Sequence, residues 1–165
     1  GTDMKEMRPT TGKVMQALFN ILGPLRGKSF LDLFSGTGQI ALNAYKRDAA
    51  PVCLVESERK RFGDIVKTMP EDVKCHCMDV RRVLSKFERN GESFDIIFAD
   101  PPYGLGWGTE LPKLIHKHSE VLSPGGTLIF EHSEKEDADD IPGWEREERT
   151  YGGTVLTFYR RSVDQ

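Results

Sequence analysis

Between residues 94 and 103 the chain reads Phe-Asp-Ile-Ile-Phe-Ala-Asp-Pro-Pro-Tyr, an apolar run fit for a buried strand that stops abruptly at an acid, two prolines and an aromatic ring. In open α/β sheets ligands bind beyond the carboxyl ends of parallel strands. Asp100-Pro101-Pro102-Tyr103 would stand at such an end with a carboxylate, a rigid backbone carbonyl and a stacking ring. That set suits a planar amine.

The rest of the chain supplies the sheet such a strand needs. Residues 13–22 carry Val14, Leu18, Ile21 and Leu22 at helical spacing, with Thr10 or Thr11 available as a cap and Gly23-Pro24 as a stop. Strand and helix patterns then alternate: strand Ser29–Phe34, helix Ile40–Arg47, strand Val52–Val55 and a charged helix from Glu58 to Met69. The alternation continues with strand Val73–Met78, helix Val80–Asn90, strand Phe94–Ala99, helix Thr109–Leu122 and strand Thr127–Glu131 after the Pro124-Gly125-Gly126 turn. Residues Trp144–Thr150 and Thr154–Arg160, around Gly152-Gly153, read as a closing antiparallel hairpin. Strands separated by helices of this length imply a doubly wound, mainly parallel sheet of seven strands with helices on both faces. The acid-rich stretch 133–142 is expected to be a mobile, solvated loop.

A chain of 165 residues suits one domain, and no apolar run approaches the roughly 20 residues that span a membrane. Gly1 stands where a methionine would, so residues 1–12 read as an amino-terminal extension that has been trimmed. Cys53, Cys75 and Cys77 are odd in number and lie in strand-like runs, which argues for core thiols in a reducing cytoplasm rather than disulfides. Neither Cys75 and Cys77 nor His116, His118 and His132 have spacing that recommends a metal. The net charge of −3 conceals an uneven distribution. Acids crowd residues 131–148, whereas the first 28 residues and Arg59-Lys60-Arg61 are basic, so one end could meet a polyanion.

The first crossover, Leu31-Asp32-Leu33-Phe34-Ser35-Gly36-Thr37-Gly38, ends a strand in a glycine turn whose backbone N–H groups can approach a ligand closely. Gly36, Gly38 and Ala41 also satisfy the dinucleotide fingerprint, with Glu56 placed for ribose hydroxyls. Asp32 argues against a dinucleotide, because its charge would repel a pyrophosphate and favour an ammonium or sulfonium group. Asp79, ending the third strand, can accept from an adenine amino group. Together these residues point to S-adenosylmethionine.

The chain resembles the class I S-adenosylmethionine-dependent methyltransferases, which carry a Rossmann-like fold, over nearly its whole length. More narrowly, three segments resemble the bacterial 16S ribosomal RNA (guanine(966)-N2)-methyltransferases: Arg8-Pro9-Thr10-Thr11 with Val14 and Leu18-Phe19-Asn20-Ile21-Leu22, the segment Leu31–Gly38, and Asp100-Pro101-Pro102-Tyr103. The resemblance implies that Asp32, Phe34, Ser35, Gly36 and Gly38 surround the methionine part of the cofactor, Glu56 its ribose, and Asp79 and Val80 its adenine. It makes Asp100, Pro101 and Tyr103 catalytic, with Arg8, Lys13, Pro102 and Trp107 on the substrate and Thr10 and Thr11 near the cofactor carboxylate. Arg26 and Lys28 are further candidates for phosphate contacts. The implied partner is ribosomal RNA or the small ribosomal subunit, with no membrane and no metal. Family members usually carry a basic, glycine-rich β-hairpin before the Arg-Pro-Thr-Thr motif, and this sequence starts only a few residues ahead of Arg8. Gly104-Leu105-Gly106-Trp107-Gly108 reads either as a lid over the target base or as a turn that packs Trp107 on the next helix. The rivals are a DNA methyltransferase acting on adenine N6 or cytosine N4, a small-molecule methyltransferase, and a noncatalytic nucleotide-binding module.

Overall fold

In the computed structural model, which describes residues 11–163, the chain enters the fold at Thr11. Its hydroxyl accepts the Val14 amide at 3.3 Å and so caps helix α1 (Gly12–Leu22). Arg8, Pro9 and Thr10 lie outside the described residues. There follow β1 (Phe30–Asp32), α2 (Gln39–Lys46), β2 (Val52–Val55), α3 (Arg59–Val66), β3 (Lys74–His76), α4 (Val80–Arg89) and β4 (Phe94–Ala99). Helix α5 (Trp107–Lys117), a 3-10 turn (Ser119–Val121), β5 (Leu122–Ser133), β6 (Glu145–Tyr151) and β7 (Thr154–Arg160) complete the chain.

The seven strands form one sheet in the order β3-β2-β1-β4-β5-β7-β6. Pairing is parallel from β3 to β5, and antiparallel where β7 joins β5 and β6. Side-chain alternation splits the core into two layers. Leu31, Cys53, Val55, Ile97 and Ala99 pack with α4 and α5, while Phe30, Leu54, Ile96 and Phe98 pack with α1, α2 and α3. Cys75 and Cys77 depart from the expected core thiols: β3 is an edge strand, so Cys75 is half-buried and Cys77 exposed.

Several boundaries differ from the sequence expectation, β1 and β3 being shorter at both ends and α5 stopping at Lys117 rather than Leu122. Helix α3 stops at Val66 rather than Met69, α5 starts at Trp107 rather than Thr109, and β5 begins at Leu122 rather than Thr127. The extra length of β5 arises because its pairing with β4 jumps from Phe94–Leu122 to Ile96–Thr127, an irregularity that accommodates the Pro124-Gly125-Gly126 turn inside the strand.

The acidic stretch 133–142 is not the free loop expected. Ala138 and Ile141 are buried in the core, and the Tyr159 hydroxyl donates to the Asp139 carbonyl at 2.6 Å. Pro112 lies inside α5 and has no N–H for the Gly108 carbonyl four residues back, which instead accepts the Asp139 amide at 2.9 Å. Gly108 permits this approach, since a Cβ there would run into the Asp137 carbonyl oxygen. Two apolar side chains and a helix carbonyl released by proline outweigh the acidic composition of the loop. Gly108→Ala is therefore expected to destabilise the protein by about 1–3 kcal/mol through overpacking, read as a lower denaturant midpoint with unchanged far-ultraviolet circular dichroism.

Candidate active site

The winding of the sheet reverses between β1 and β4, the neighbours from which β2 and β5 spread to opposite sides. Ligands in such sheets sit outside the strand ends at this switch point. Asp32 ends β1 opposite Phe98, and Asp100 follows β4 two residues further on. The loop after β1 is pinned on both sides. The Ser35 amide donates to the Val55 carbonyl at 2.9 Å, and the Gly36 amide donates to Glu56 Oε1 at 3.0 Å. Glu56 Oε2 in turn accepts the Glu58 amide at 2.9 Å, so this buried carboxylate holds the loop as well as facing the cavity.

Asp32 is 1% exposed, and Oδ2 accepts the Ser35 hydroxyl at 3.0 Å. Among the described residues Oδ1 has no partner. Burial pushes this carboxyl up to about 7, opposed by the Ser35 hydroxyl and the Ala41 and Phe34 amides and reinforced by Glu56. A buried carboxylate in the wall of a cavity, with one oxygen unpartnered among the described residues, calls for a cationic donor on the ligand. The cavity has a volume of ≈ 260 Å³, with Asp32 and Gly36 on one side and Glu56, Met78, Asp79 and Val80 on the other. This donor set fits S-adenosylmethionine: an acid for the ammonium of its methionine end, an acid for ribose hydroxyls, and an apolar slot with a carboxylate for adenine.

Phe34, Ser35, Gly36, Glu56, Asp79 and Val80 thus line the cavity as the sequence led us to expect. Gly38 does not. It stands behind the loop with φ +82°, where a Cβ would meet the Met69 and Ile65 side chains, so it serves the turn and the packing of α3. Trp107 also departs from its expected place on the substrate. It is buried at the start of α5, edge-on to Phe34 at 5.1 Å with the Arg81 guanidinium 4.8 Å from its ring, and it lines the cofactor cavity. Of the glycine-rich segment that could have been a lid or a turn, Trp107 is packed, whereas Tyr103 and Leu105 are 56% and 64% exposed.

A second cavity of ≈ 640 Å³ opens on the far side of the tetrad. Asp100 and Pro102 line both cavities, while Pro101 and Tyr103 line only the second. Burial, then the charges of Glu131 and Asp32, hold the Asp100 carboxyl well above the usual carboxylate range. Thr11 and the exposed Lys13 lie at the rim. Arg26 is occupied by Asp48 at 3.1 Å, and Lys28 is exposed but lines neither cavity. Sequence reasoning missed Glu131, His132 and Tyr151, which complete this wall from β5 and β6. One signal was available for Glu131, an acid ending the apolar run Leu128-Ile129-Phe130 just as Asp32, Glu56 and Asp100 follow theirs. Among the described residues no group of three or more His, Cys, Asp or Glu side chains could hold a metal.

The family model described as conserved hypothetical protein 95 matches residues 2–160. The chain is 29% identical over 166 residues to the ribosomal RNA small subunit methyltransferase D of Escherichia coli K12, spanning 98% of this chain and 83% of that one. It is 26% identical over 135 residues to the tRNA (guanine(10)-N2)-dimethyltransferase of Methanocaldococcus jannaschii, covering 77% of this chain and 38% of the relative. The solved yhhF chain of Escherichia coli superposes with a TM-score of 0.83 at 25% identity, covering 94% of this chain and 88% of that chain. The glycine loop, the orphaned Asp32 oxygen and the tetrad between two cavities agree with what these matches require: the chain belongs to the conserved hypothetical protein 95 family, within the class I S-adenosylmethionine-dependent methyltransferases.

Proposed function

We propose that this chain methylates the exocyclic N2 amine of a guanine in small-subunit ribosomal RNA. The observation that carries the reading is that the cofactor cavity and the second cavity meet at Asp100 and Pro102, so a base in one can present its amine to a methyl donor in the other. The ribosomal RNA substrate rests on the relative named small subunit methyltransferase D, and the N2 position on the relative named guanine-N2 dimethyltransferase. Three free thiols, and the absence among the described residues of a helix long and apolar enough to cross a membrane, accord with a cytoplasmic reaction.

When bound, S-adenosylmethionine supplies a methyl group activated by positively charged sulfur. The chain's own residues solve a different problem. The guanine N2 lone pair is delocalised into the ring and must be turned out of plane before it can form a bond to carbon. The Asp100 carboxylate and the Pro101 carbonyl can each accept one N–H of that amine, which favours a pyramidal nitrogen, and proline's fixed φ aims the carbonyl. After transfer the nitrogen carries a surplus proton, and Asp100, held above the usual carboxylate range, is an able acceptor for it. Tyr103, half exposed at the mouth of the second cavity, offers a ring on which an extruded base can stack. Positioning of this kind supplies roughly 7–11 kcal/mol, more than one acid–base contact.

The deciding experiment follows labelled methyl from S-adenosylmethionine into unmodified small ribosomal subunits and naked ribosomal RNA. Label recovered in guanine N2 is the expected result, and label in adenine or cytosine overturns the assignment. Asp100→Ala should lower kcat by about 10²–10⁴-fold or more while S-adenosylmethionine affinity, measured by calorimetry, stays nearly unchanged.

Asp32 gives a pH signature. Its folded value of about 7 exceeds the unfolded 3.8, so the native state binds the extra proton between those values and stability falls as pH rises across them. Thermal midpoints of ligand-free Asp32→Asn should lack this slope and exceed those of the parent above pH 7, while S-adenosylmethionine binds the variant at least about tenfold more weakly, the loss of one charge-assisted contact.

A further inference from the structure

Strands β4 and β5 run side by side with Phe98 opposite Ile129 and Ala99 opposite Phe130. Phe98 and Ile129 both pack into the layer under α1 and α2. The residues two further along, Asp100 and Glu131, therefore leave the sheet on that same face, and both line the second cavity. Glu131 is 8% exposed. Its charge is the one that, after burial itself, most raises the Asp100 carboxyl, as expected for neighbouring acids.

When both are ionised, two adjacent carboxylates present acceptors only. Among the amine-bearing bases, guanine alone sets two kinds of N–H donor side by side, at N1 and N2. Adenine and cytosine place a ring-nitrogen acceptor beside their amine, and that lone pair would face carboxylate oxygen. A base turned out of its stack is read along this edge. Resting on the methyl-transfer reading above, we propose that Glu131 is the residue that selects guanine, accepting its N1–H while Asp100 holds the N2 amine. The resulting specificity is negative as well as positive, because a base with an acceptor at N1 meets repulsion rather than a missing contact.

The test uses 2-aminopurine, which keeps the amine at C2 but has no proton on N1. The nucleotide labelled in the transfer experiment is replaced by it in a synthetic RNA fragment, and kcat/KM is compared for the full chain and for Glu131→Gln, whose amide can donate to N1. The parent should prefer guanosine by at least about a hundredfold, as sites built to bond a substrate N–H do. Glu131→Gln should lose at least about tenfold on guanosine, keep or gain activity on 2-aminopurine, and retain its thermal midpoint and S-adenosylmethionine affinity. Equal use of the two bases by the parent, or an undiminished preference in the variant, overturns the role of Glu131 while leaving guanine methylation intact. Should the variant not fold, the parent's preference alone decides. Label in adenine or cytosine removes the guanine reading itself, and the Glu131 assignment with it.

Discussion

Asp32 and Asp100 leave the sheet at the one place where its winding reverses, and among the described residues no cation pairs with either carboxylate. Burying a carboxylate without a full set of partners is unfavourable by kilocalories, and a second acid in the same cleft adds to it, since the charge of Asp32 helps to raise Asp100. The neighbourhood limits that cost. Ser35 supplies a hydroxyl to Asp32 and Ala41 and Phe34 lend amides, whereas Glu56, whose charge adds to the cost, spends its oxygens on the Gly36 and Glu58 amides. What is left is Asp32, with one oxygen unpartnered among the described residues, in the wall of the first cavity, and Asp100 in the lining of both. The negative potential there favours a cationic methyl donor and an N–H-bearing base, and repels phosphate.

The two layers of the core divide the remaining work. The layer with α4 and α5 holds Val80 and Trp107, which form apolar wall for the cofactor cavity. The other layer carries Val14 of α1, which also lines the second cavity. The first cavity draws on both layers, since Ile40 and Phe98 join Val80 and Trp107 in its lining, and the segment after β4 is the wall it shares with the second cavity.

Local pattern was enough for what is local. Strands Val52–Val55 and Phe94–Ala99 appear with the expected boundaries, because each is a short apolar run with polar residues on both sides. The acids that end β1 and β2 and the acid that caps α4 were legible because each follows an apolar run directly. What escaped depends on the third dimension. Gly38 satisfies a fingerprint whose residues usually face a ligand, yet here it faces Met69 across a helix junction that no spacing reveals. For Trp107 the sequence left a lid and a packed turn open, and packing with Phe34 and Arg81 decides for the packed one. The second cavity was the least legible, since His132 and Tyr151 are ordinary strand residues until the parallel pairing of β5 with β4 and the antiparallel β6–β7 hairpin set them beside Asp100–Tyr103, some 30 to 50 positions earlier in the chain.

A proline inside a helix is ordinarily a defect, a rung removed from the ladder. Here the missing rung at Pro112 works as a socket. The carbonyl it releases on Gly108, next to Trp107, receives the Asp139 amide, while Glu136 from the same loop accepts the Gly104 amide at 3.3 Å. The segment from Asp100 to Trp107 is thereby tied at Gly104 and at its helix end, so any ordering that accompanies ligand entry is confined to the exposed residues Tyr103–Gly106, at no more than roughly 1–2 kcal/mol each. The leash between the two pockets is short by construction, and its length is set from the far side of helix α5.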